Sequence, residues 1–133
     1  MALPSVGGGR QIGDGNINET PLSIQPAPQT ATVTATLTAA QITGGIIVAD
    51  TGTTAATLTL PTVALLEAQL TNAKVNSSFD LAIVNVGTSS GTITMAVGTG
   101  WTITGLATVT YTTSAMFRAR KTGTGAWTLY RLT

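Results

Sequence analysis

The 133 residues make one domain with room for little more, and only 8% of them are charged, against roughly 25% in an ordinary globular chain. Six Lys and Arg are too few for binding driven by phosphate neutralisation, so no nucleic-acid partner is expected. With neither Cys nor His, thiol catalysis, His-based triads and typical zinc sites are excluded, and composition argues against an enzyme.

A net charge of +1 and a mean hydropathy of +0.34 separate the chain from disordered sequences. No apolar run reaches the eighteen or so residues of a membrane helix, so no membrane partner is expected. Met1 to Arg10 lacks the basic start and apolar middle of a signal peptide.

Residues 1–29 read as an extended arm. They hold four of the five prolines and the triplet Gly7-Gly8-Gly9, and apolar residues appear singly, at Leu3, Val6, Ile12, Ile17, Leu22 and Ile24. Gly7-Gly8-Gly9-Arg10 is no phosphate loop, since it lacks the Gly-Lys-Ser/Thr ending. Asp14-Gly15-Asn16-Ile17-Asn18 places oxygen ligands like a calcium loop, but Glu19 stands where glycine is required and Gln25 where a bidentate Glu is. No metal or cofactor is therefore expected.

Residues 30–133 read as an all-β domain, a sandwich or jelly-roll-like fold with one short helix. Between Thr30 and Thr38, Thr alternates with Ala31, Val33, Ala35 and Leu37, the period of a half-buried strand. Threonine, about a fifth of the chain, suits a pleated strand and wets a face without charge. The alternation returns at 57–60, 92–95, 101–104 and 108–112, with Gly-rich turns between. Ile46-Ile47-Val48-Ala49 and Leu81-Ala82-Ile83-Val84 are continuously apolar and predict central strands covered on both faces.

After Pro61 and Thr62, the spacing of Val63, Leu66 and Leu70 predicts about three turns of helix, with Glu67 and Gln69 exposed and Lys74 near its end. An even connection, 122–125, predicts a hairpin that pairs Phe117 with Tyr130 and Arg120 with Trp127. Residues 81–133 carry four basic groups and no acidic one, which favours an acidic partner surface or head-to-tail subunit contacts. Trp101, Trp127, Tyr111 and Tyr130 are candidate sugar platforms, and a fibre module binding host-surface glycan is the alternative reading.

The opening, Gly7-Gly8-Gly9-Arg10-Gln11-Ile12-Gly13-Asp14-Gly15-Asn16-Ile17-Asn18-Glu19, resembles that of tailed-bacteriophage capsid decoration (cement) or head-fibre proteins. The Thr-rich remainder, with Leu58-Thr59-Leu60-Pro61, Val84-Asn85-Val86-Gly87 and the closing hairpin, resembles β-modules of phage heads and fibres. That resemblance implies a non-enzymatic virion protein, made in the host cytoplasm and placed on the outer capsid surface. Such a protein binds the assembled shell of major capsid protein, often as a homotrimer, and braces it. The arm residues chosen as capsid contacts are Leu3, Val6, Arg10, Ile12 and Ile17, its apolar and basic points.

Overall fold

The computed structural model describes residues 22–133. In chain order the elements are β1 (Gln29–Ala31), β2 (Ala35–Thr36), α1 (Ala39–Thr43), β3 (Ile46–Ala49), β4 (Ala56–Thr59), α2 (Val63–Gln69), β5 (Ser78–Asn85), β6 (Ile93–Ala96), β7 (Trp101–Thr104), β8 (Thr108–Val109), β9 (Ser114–Gly123) and β10 (Ala126–Arg131). The fold is predominantly β. A six-stranded sheet runs β1-β3-β5-β9-β10-β7 and a four-stranded sheet runs β2-β4-β6-β8.

The chain visits the two sheets in turn, so that β1, β3 and β5 stack in parallel in one and β2, β4 and β6 in the other. Ile47 lies between Gln29 and Ile83, while Leu58 lies between Ala35 and Met95. A jelly roll is built from antiparallel strands, whereas β7 against β10 adds a further parallel ladder here. Only β5–β9, β9–β10 and β6–β8 are antiparallel among the described residues, and they close the stack.

Alternation does set which side chains go inward. Ile47, Ala49, Leu81, Ile83, Phe117 and Leu129 from the larger sheet join Leu58, Ile93, Met95 and Val109 from the smaller in one core. Burying each large aliphatic contributes roughly 1.5–3 kcal/mol. The turns that join the stacked strands touch backbone to backbone. Gly52 adopts φ +63° and its carbonyl accepts from the Thr88 N–H, while a side chain at Gly91 would run into that same carbonyl oxygen. Asn85, 1% exposed, locks this corner by donating to the Gly91 and Val109 carbonyls and accepting from the Gly87 N–H.

Several expectations are corrected. The run 30–38 is not one strand, because it bends between β1 and β2 to change sheets, leaving Val33 65% exposed. There are two short helices rather than one. Thr38-Ala39-Ala40-Gln41 is a capping box that starts α1, with the Thr38 hydroxyl accepting from the Gln41 N–H and the Gln41 side chain accepting from the Thr38 N–H. The second helix is two turns long, capped by Thr62, and stops at Gln69 well before Lys74. Its Gln69 is exposed as expected, but Glu67 is half-buried and reaches the hairpin, while Leu65 is 60% exposed.

The hairpin register is displaced by one residue. Gly125 takes φ +66° in a tight Thr124-Gly125 turn that lets Gly123 pair with Ala126. A bulge follows between Ala126 and Trp127, so Arg131 opposes Phe117 and Tyr130 opposes Arg118. Phe117 points into the core and Tyr130 lies on the outer face, where its hydroxyl accepts from Arg120. The cation over an aromatic ring is Arg131, 5.6 Å from the centre of Phe117.

The apolar runs do form interior strands, β3 and β5. Their covering is one-sided: Ile47, Ala49, Leu81 and Ile83 are buried, while Ile46, Val48, Ala82 and Val84 stay half-exposed.

Candidate interaction surfaces

Upstream of β1, the chain from Leu22 to Pro28 carries no helix or ladder. Pro26 and Pro28 lack the N–H a ladder needs. Among the described residues the Gln25 amide tethers this segment, donating to the Gly44 carbonyl at 2.6 Å. Leu22 and Ile24, two residues apart, are 89% and 96% exposed. Burial of either side chain against another surface would contribute roughly 1.5–3 kcal/mol. Leu3, Val6, Arg10, Ile12 and Ile17, the expected capsid contacts, lie outside the described residues, as does the calcium-like loop at 14–18.

The basic C-terminal third is engaged within the chain. Arg118 forks onto Asp80 at 2.6 and 3.1 Å, and this holds the Asp80 carboxyl below the usual carboxylate range. Arg120 grips the Asn76 side-chain oxygen at 2.7 and 3.1 Å. Lys121 meets Glu67 at 2.6 Å, and that ammonium, followed by the Trp127 indole N–H, lowers the Glu67 pKa. Arg131 donates to the Leu106 and Thr108 carbonyls, tying β10 to the neighbouring sheet beside β8. These four cations hold elements together.

The tryptophans are no sugar platform. Trp101 and Trp127 are 6% and 1% exposed, their rings 5.9 Å apart, with the Trp101 N–H donating to the Pro61 carbonyl. Phe79 packs 5.7 Å from Trp127. Tyr111 is 37% exposed and Tyr130 is half-buried. Among the described residues no three acidic, His or Cys side chains gather as a metal site, and no helix is long and apolar enough to cross a membrane.

Sequence reasoning overlooked the outer face of the six-stranded sheet as a surface. Ile46, Ala82 and Met116 lie in one register row and Val48 and Val84 in the next, an apolar block bordered by the Asp80–Arg118 row. The signal was present in the unbroken runs 46–49 and 81–84, which leave no polar phase. Comparison with family models, curated proteins and solved structures gives no match.

Proposed function

We propose that the protein is a non-enzymatic structural protein of a virion, binding the assembled shell of major capsid protein from outside and stabilising it. Residues 1–29 are the attachment arm, and residues 30–133 are a two-layered β sandwich held outside the shell. The observation that carries this reading is the Leu22–Pro28 segment, where two aliphatics stand almost wholly in solvent on a stretch that forms no helix or ladder. A β domain with its own core needs no such groups for folding, so they serve a partner. The resemblance of the chain to phage decoration and head-fibre proteins supplies the identity of that partner.

The test is co-sedimentation with phage heads that lack this protein. The full chain is expected to pellet with the heads, and a chain starting at residue 29 to stay in the supernatant while retaining its β circular-dichroism signal. Leu22→Ser with Ile24→Ser should weaken pelleting by at least about tenfold, the equivalent of part of one buried aliphatic. Undiminished pelleting of the truncated chain would move the attachment to the β domain.

A further inference from the structure

The two sheets finish their outer faces differently. On the smaller sheet the outward positions are Thr57, Thr59, Thr94, Ala96 and Thr108. On the larger sheet the corresponding centre is Ile46, Val48, Ala82, Val84 and Met116, contiguous by register, the first four half-buried and Met116 37% exposed. Both helices send their buried residues, Ala39, Ile42, Val63 and Leu66, into the core on the other side. A contiguous exposed apolar patch with a polar border marks an interaction surface.

The border says what fits. Asp80 and Arg118, directly opposite each other beside the Ala82–Met116 row, are both about half-exposed at 46% and 50%. A two-fold axis parallel to the strands and midway between β5 and β9 brings each carboxylate to the other copy's guanidinium and Ala82 onto Met116. It also brings Ile46 towards Leu132, the exposed residue that follows β10 beside Met116. No like charges then meet at the centre of the contact, since the block itself is uncharged. We propose that this face of the six-stranded sheet is a self-complementary contact that pairs two copies of the chain, with Ala82, Val84 and Met116 at its centre, Ile46 and Val48 at its flank, and Asp80 exchanging Arg118 partners at its edge. This pairing is independent of the capsid reading. Because the same patch serves both copies, the contact closes at two.

The experiment is the solution mass of the full chain by light scattering across the micromolar range, with thermal melts to confirm folding. The wild type is expected at the mass of two copies. Val48→Lys with Val84→Lys should give single copies with at least about tenfold weaker association, whereas Thr94→Lys on the other sheet should leave the pair intact. Two charge-reversal chains sharpen the test. Asp80→Arg and Arg118→Asp each break the pair on their own, and mixing them should restore the mass of two, because every charge across the contact is then matched. A monomeric wild type would overturn the proposal; this includes the case in which residues 1–21 of the same chain cover the face. So would a trimer, or a mixture of the reversed chains that stays monomeric.

Discussion

The stacked part of the molecule, β1 to β6, and its closing part, β7 to β10, are held by different means. In the stack, parallel strands carry mostly small or aliphatic side chains inward, and the turns touch through Gly52, Gly87 and Gly91 around the buried Asn85. In the closing part, large side chains reach across elements. Trp127 spans from Trp101 to Phe79 and Glu67, and Arg131 spans from Phe117 to the carbonyls beside β8. Backbone proximity leaves no room for substitution in the first region, while the second depends on a few long side chains. The two should therefore fail in different ways.

The greatest loss should come from the closing part. Trp127→Ala removes a fully buried ring with two aromatic neighbours, and urea unfolding should show a loss of about 3–5 kcal/mol. A small loss would mean that the closing strands are only a lid on a self-sufficient stack. Next comes Asn85→Leu, which strands one N–H and two carbonyls in the core and is expected to cost about 2–4 kcal/mol in the same measurement.

How much of this contrast was legible differs between the parts. Thr–apolar alternation gave the strands and their inward residues because the period of two depends only on backbone geometry. It says which face a residue takes and nothing of which strand lies beside it. Hence the parallel stacking, and the change of sheet inside the run 30–38, were hidden. The Thr38–Gln41 capping box was readable and lay masked under the strand-like alternation. The hairpin register failed on one bulged residue, which no composition rule locates. Of the surfaces, Leu22 and Ile24 were visible as isolated aliphatics among prolines. The burial of both tryptophans depends on contacts between distant segments, and a lone Trp in a sequence does not reveal them.

Smaller effects refine the comparison. Gly91→Ala pushes a methyl into the Gly52 carbonyl oxygen and should cost roughly 1–3 kcal/mol, with the melting temperature lowered and the fold retained. The same change at Gly123, where a methyl meets nothing, should be near neutral. Glu67→Gln removes the counter-charge of Lys121 and should cost about 1 kcal/mol at neutral pH. Because the folded state lowers the Glu67 pKa, its contribution is complete above the usual carboxylate range and fades as pH falls through the lowered value. The gap between wild type and Glu67→Gln in pH-dependent melts should accordingly narrow on acidification.

The alternation of the chain between sheets also bears on the order in which the molecule assembles. Ile47 cannot meet Ile83, nor Leu58 meet Met95, until the chain has made an excursion through the other sheet. Among the described residues, β9 and β10 are the one pair of strands consecutive in the chain that lie hydrogen-bonded side by side. Loop closure for every other ladder must precede its reward, so refolding should take milliseconds to seconds rather than microseconds. The hairpin is the natural seed, with β5 adding along β9 before the outer coils settle. Stopped-flow refolding of Leu129→Ala should then show a slowed folding limb, whereas Leu58→Ala should act mainly by speeding unfolding.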